Sequence, residues 1–134
     1  MTTKGGRCLC GDVTYEYSGP ENWRAYCHCE SCRRNTSSPV TAFFGVPKTA
    51  CRFTGKEPSV YDSSPGVRRL FCGRCGSPMA YESDRFPDEI HLYAASLDRP
   101  EDYVPQGHVY CAEQLPWFDV RDSLPRHPAG GSSG

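Results

Sequence analysis

Three thiols within six residues, in the run Cys27 His28 Cys29 Glu30 Ser31 Cys32, constrain this chain more than any other stretch. Read as a strand ending in a tight turn, the run puts residues 27 and 29 on one side by the period of two, and the turn returns residue 32 toward them. Three sulfurs then meet at one point. Thiolates suit zinc, and a set of three leaves a fourth tetrahedral position for water, substrate or another side chain. His28 lies between two same-face cysteines and is expected to point away from the ion.

Two further pairs repeat the theme. Cys8 and Cys10 are again two residues apart, so in extended backbone both point at one ion. Cys72 Gly73 Arg74 Cys75 Gly76 is a knuckle that places two sulfurs at one end of a tight turn, with a glycine ready for a left-handed residue. One ion held by both pairs would close a long loop. Structural zinc contributes about 10–16 kcal/mol of apparent binding free energy at neutral pH, as much as the whole stability of a typical domain. A thioredoxin-like redox reading of the knuckle requires a substantial helix after it. Gly76 Ser77 Pro78 and a strand from Met79 to Tyr81 follow instead.

The chain has nine cysteines, and an odd number excludes a complete disulfide framework. Clustered cysteines in a reducing compartment bind metal more often than they pair. Cys51 and Cys111, outside the clusters, are expected to be small buried residues with inert thiols.

At 134 residues the chain is sized for one domain, and its 37% hydrophobic content makes a thin core that needs staples. Thirteen glycines and twelve prolines predict many turns and little helix. Val13, Tyr15 and Tyr17 alternate with polar neighbours, a half-buried strand. Further strands are expected from Trp23 to Cys29, Val40 to Val46, Cys51 to Phe53, Ser59 to Tyr61, Val67 to Phe71, Ile90 to Ala95 and near His108 to Ala112. Trp117 and Phe118 are expected to cap the core, and the tail from Pro125 onward to be disordered. The class is therefore all-β, one domain over 1–125 with a disordered tail at 126–134.

The formal charge of −1 would become about −4 with seven thiolates on two divalent ions, and no basic tract or stacking platform is present, so a nucleic acid partner is not expected. Met1–Gly6 contains no apolar stretch and no run approaches a membrane span, which predicts a cytoplasmic protein with no membrane partner.

Taken together, the motifs resemble the glutathione-dependent formaldehyde-activating enzyme family, which also includes centromere protein V. The resemblance rests on Gly6, Cys8, Cys10, Gly11, Val13 and Tyr15, on Cys27 His28 Cys29, Cys32 Arg33 Arg34 and Pro39, and on Tyr61, Ser63 Ser64, Arg69, Phe71 Cys72 and Cys75 Gly76. It continues through Ser96 Leu97 Asp98, Pro105, His108, Trp117 and Leu124 Pro125. It implies a complex β-sheet fold stapled by zinc, related to the zinc-bound sulfoxide reductases and a Rab-binding zinc chaperone. It also implies a structural zinc on Cys8, Cys10, Cys72 and Cys75 and a second, more labile zinc on Cys27, Cys29 and Cys32. The sequence departs from the family pattern at Ser37, Val40 and Tyr110, all on expected pocket walls.

The activity implied is that of a carbon–sulfur lyase of the S-hydroxymethylglutathione synthase kind, with a small thiol such as glutathione and an aldehyde such as formaldehyde as its partners. Three thiolates leave their zinc with net negative charge, better suited to exchanging thiols than to activating water. Arg33 and Arg34, directly after Cys32, are the candidates to hold the carboxylates of the thiol substrate. No general base is evident, and His91 and His108 qualify only by residue type. A noncatalytic zinc module that binds a protein is the competing reading, favoured if Cys111 or a histidine fills the fourth position of the second site. A sulfoxide reductase using Cys111 is a third, and gives no reason for the three-thiol cluster.

Overall fold

The computed structural model describes residues 3–130. In chain order its elements are β1 (Thr3–Arg7), β2 (Thr14–Ser18), β3 (Trp23–Cys27), α1 (Glu30–Thr36), β4 (Thr41–Pro47), β5 (Cys51–Phe53), β6 (Ser59–Ser64), β7 (Val67–Phe71), β8 (Pro78–Ser83), β9 (Glu89–Tyr93) and β10 (His108–Val109). They form a three-stranded sheet in the order β1-β2-β5 and a seven-stranded sheet in the order β10-β3-β4-β9-β8-β7-β6. All pairings are antiparallel except β10 on β3. The class is all-β, as the sequence predicts.

Alternation along the central strands makes the large sheet two-faced. Phe44 and Val46 of β4, Ile90 and Leu92 of β9 and Leu70 of β7 join Val13, Tyr15 and Tyr17 of the small sheet's side in the main core. The intervening residues point the other way. There Phe43 and Tyr93 bury themselves with Cys27 and Cys32, and Trp23, Tyr81, Val109 and Tyr110 pack around them. This second face carries the three-thiol cluster. Across it Trp23 stands opposite Gly45, where a Cβ would collide with the indole, so only glycine lets the ring lie flat on the strand.

Four sequence expectations change. The turn expected after Cys29 is a helix, α1, because the Cys29 thiol accepts the Cys32 N–H as an N-cap and Glu30 pairs with Arg34 one turn on. Ser37, at φ 56°, ends it in the left-handed region. Cys8 to Gly11 is a turn rather than extended backbone, closed by Gly11 N–H on the Cys8 carbonyl. Trp117, expected to cap the core, is 71% exposed. Pro125–Ala129, within the stretch expected to be disordered, runs beside β10: the His108 N–H bonds the Pro125 carbonyl, and the Tyr110 N–H that of Ala129. Residues 131–134 of the expected tail lie outside the described residues.

Strand β1 had no counterpart in the sequence reading, since Gly5 and Gly6 have poor strand propensity. The close approach explains them: a Cβ at Gly5 would sit 2.7 Å from the Tyr15 carbonyl oxygen, and one at Gly6 would strike the Tyr15 hydroxyl. No helix among the described residues is long and apolar enough to cross a membrane.

Candidate functional site

The first cysteine cluster joins the two sheets. Cys8 and Cys10 arrive on the turn after β1, Cys72 and Cys75 on the knuckle after β7, and the four Sγ atoms lie within 4.8 Å of one another. Cys8 Sγ is 3.6 Å from Cys10 Sγ, which is 3.7 Å from Cys72 Sγ. Sulfurs bound to one zinc at about 2.3 Å in a tetrahedron stand about 3.8 Å apart, so the spacing fits an ion. Disulfides, at about 2 Å, are excluded by the same distances.

The backbone prepares these sulfurs for negative charge. Val13 N–H donates to Cys8 Sγ, and both Arg74 and Cys75 N–H donate to Cys72 Sγ. The Ser77 side chain and backbone, with the backbone near Cys10, hold the Cys75 thiol down at about 5. Gly76, at φ 79°, turns the knuckle so that its N–H reaches the Cys72 carbonyl. The four-thiol donor set is complete and closed, which is the form of a structural zinc site.

The second cluster sits on the other face of the large sheet. Cys27 ends β3, Cys29 caps α1 and Cys32 lies one turn into it, so a strand end and a helix start converge their sulfurs within 4.8 Å. Among the described residues no histidine, carboxylate or fourth cysteine joins this group. Cys111 stands apart in its own 3₁₀ turn, and its thiol is pushed up by burial. His28 turns to the far side of β3 and bonds His108. The condition that would favour a saturated, purely structural second site is therefore absent from these residues.

Electrostatics single out one partner that the sequence reading did not assign to the site. Arg69 is 6% exposed, donates from Nη1 to Cys32 Sγ at 3.5 Å, and lies over the Tyr81 ring at 4.9 Å. A buried arginine needs a counter-charge, and a thiolate cluster supplies one. The signal was present in β7, where Arg69 occupies the position facing away from the core beside the inward Leu70, but a strand arginine reads equally well as surface charge. Within the cluster, hydrogen bonds from the Cys27 and Cys32 thiols, then the Cys32 N–H and the Arg69 charge, hold Cys29 well below the usual thiol range. The same exchange pushes Cys27 far up. Three sulfurs converging within 4.8 Å form a donor set for a soft cation.

The two arginines marked from sequence part company. Arg34 is exposed and engaged with Glu30 at 2.8 Å. Arg33 is half-buried, and its Nε has no protein partner among the described residues. Around the cluster, Tyr93 accepts a hydrogen bond from Asn35 of α1, and burial pushes its phenol up to about 12, so it keeps its proton. Tyr110 packs against the cluster from a left-handed backbone at φ 57°, a conformation that bulky residues adopt at a cost and that tends to collect at functional sites. His91 bonds Glu89 and stacks on Tyr81, while both ring nitrogens of His108 are occupied by His28 and Asp122.

The family model of the glutathione-dependent formaldehyde-activating enzymes matches residues 3–113. The chain is 27% identical over 128 residues to a Halomonas elongata protein provisionally named a glutathione-dependent formaldehyde-activating enzyme, covering 86% of this chain and 79% of that one. It is 33% identical over 90 residues to an uncharacterized lyase of Schizosaccharomyces pombe, 66% of this chain and 65% of that protein. Its fold resembles the crystal structure of a Rhodobacter sphaeroides protein with a TM-score of 0.58 at 19% identity, covering 91% of this chain and 98% of the other.

Proposed function

The chain belongs to the glutathione-dependent formaldehyde-activating enzyme family, and on that premise we propose that it is a zinc-dependent carbon–sulfur lyase. Its substrate would be the adduct of glutathione, or a similar thiol, with formaldehyde or another aldehyde. The observation that carries this reading is the contrast between the two clusters: four thiols close one, whereas three thiols beside a buried arginine leave the other a position short. A zinc ion held by Cys27, Cys29 and Cys32 would supply an exchangeable position that favours a thiol in its thiolate form. Cys8, Cys10, Cys72 and Cys75 would hold the structural ion.

The remaining work falls to the protein's own groups. Arg69, by donating to Cys32, offsets the charge of three thiolates and fixes that sulfur. Tyr93 Oη, protonated and oriented by Asn35, has a proton to give to the oxygen of the aldehyde as the carbon–sulfur bond forms, and takes it back in the reverse direction. Arg33, with its unpartnered Nε, is better suited than Arg34 to receive a carboxylate of the thiol. Tyr110 forms a wall that limits what can enter. A cytoplasmic setting, where thiols stay reduced, completes the proposal.

The test is NMR exchange spectroscopy on glutathione with formaldehyde, because the uncatalysed adduct also forms and only a rate distinguishes an enzyme. The intact protein is expected to speed interconversion of the two forms. Arg69→Met is expected to lower that acceleration about 10–100-fold, the usual effect of removing a partner that orients a metal ligand. Exchange no faster with the protein than without it would overturn the proposal.

A further inference from the structure

His28 is placed between two thiols of the open cluster, yet its ring is turned through the sheet into a buried chain of hydrogen bonds. His28 and His108 are each 1% exposed, their rings stack at 5.1 Å, and His28 Nε2 lies 2.9 Å from His108 Nδ1. His108 Nε2 in turn lies 3.0 Å from Asp122 Oδ2 and 3.2 Å from Oδ1. Asp122 also accepts from Leu124 N–H and from Arg126 Nη1, and Arg126 donates to the carbonyls of Val120, Asp122 and Leu124. The backbone locks the same parts together: His28 N–H bonds the Val109 carbonyl, and His127 N–H bonds that of His108.

The order of protons follows from the acceptor at the end. An ionised carboxylate only accepts, so in the neutral ring His108 carries its proton on Nε2 and presents a lone pair at Nδ1. His28 Nε2–H must then be the donor to it. That leaves His28 Nδ1 bare, and this atom is buried with no hydrogen-bond partner among the described residues.

We propose that Asp122, His108 and His28 form a positioning relay that sets the Cys27–Cys29 turn from the face opposite the thiols, making the segment after Ala112 part of the three-thiol site. None of the three side chains is hydrogen-bonded to a sulfur of the cluster, whose described bonds run among the cysteines and to Arg69. Their effect passes through the backbone of His28, which cannot rotate without moving the two cysteines bonded to either side of it. Groups that orient metal ligands from behind are worth about 10–100-fold in metal affinity. The inference rests on the three-thiol cluster being a metal site.

The experiment uses the full chain loaded with cadmium, whose four-sulfur and three-sulfur ions give separate cadmium NMR signals, and follows release to a chelator. Asp122→Ala is expected to release the ion of the three-thiol site about 10-fold faster while the four-thiol ion stays as in the parent. Asp122→Asn keeps an acceptor oxygen for His108 and is expected to restore near-parent release, which also serves if the alanine variant folds poorly. Long-range proton–nitrogen NMR should show both histidines protonated on Nε2 in the parent, and a loss of that single tautomer at His28 in Asp122→Ala. Unchanged release from the three-thiol site, equal loosening of both sites, or a proton on His28 Nδ1 in the parent would each overturn the relay. A parent that binds only one cadmium per chain would overturn the metal reading and the relay with it, whereas two ions with unchanged release overturn the relay alone.

Discussion

Cys75→Ser is expected to leave no folded domain. Cys75 belongs to the cluster that ties the turn after β1 to the knuckle after β7, a junction to which the Leu9 N–H bond to the Ser77 hydroxyl and the Arg74–Asp12 ion pair add neutral and exposed contacts only. The small sheet holds only three strands, one of them three residues long, so its attachment to the large sheet depends on a core that is thin for the chain's length. Binding of a structural zinc contributes about 10–16 kcal/mol, against a net stability of about 5–15 kcal/mol for a typical domain. Serine offers a weaker, harder donor, and the three sulfurs left would lose the closed shell. The check is circular dichroism with zinc present: the variant should lack the cooperative melt of the parent, and removal of zinc from the parent should reproduce that loss. A variant melting within a few degrees of the parent would contradict the structural role.

Cys29→Ser is expected to behave in the opposite way, keeping the fold and one zinc while losing adduct exchange entirely. The second cluster lies on the face of the large sheet away from the main core, where its neighbours are Phe43 and Tyr93 rather than the small sheet. Serine is also an excellent N-cap, so α1 keeps an acceptor for the Cys32 N–H in place of Cys29 Sγ. Stability should therefore fall by no more than about 1–2 kcal/mol, the scale of a lost cap or a disturbed buried pair. Activity should fall to background because two thiols no longer define the site. Similar melting curves for Cys29→Ser and Cys75→Ser would remove the division of roles between the two clusters.

The two thiol clusters were legible in the sequence because thiol spacing is a local signal, and the three sulfurs of Cys27, Cys29 and Cys32 come together within six residues. A strand with plain alternation was equally legible: Tyr15 and Tyr17 are buried in Thr14–Ser18, where their pattern puts them. What escaped was decided by contacts distant in sequence. β1 exists because Tyr15 needs two glycines beneath it, and nothing in Thr3–Arg7 itself announces a strand. α1 is capped by a cysteine, a residue not counted among helix starters, and its seven residues give too little periodicity to see. Arg69 reached the site only through the seven-stranded order, which sets β7 on the same face as Cys32. The pairing of Pro125–Ala129 with β10 was hidden for the same reason, since Pro, Arg and His carry no strand pattern.

The central claim is that one cluster is closed and the other open to a thiol. Zinc stoichiometry together with X-ray absorption at the zinc edge, measured with and without glutathione, tests it most directly. The account predicts two ions per chain and an average sulfur coordination that rises when glutathione is added. Two ions whose coordination does not change, or a single ion held by four sulfurs, would contradict it.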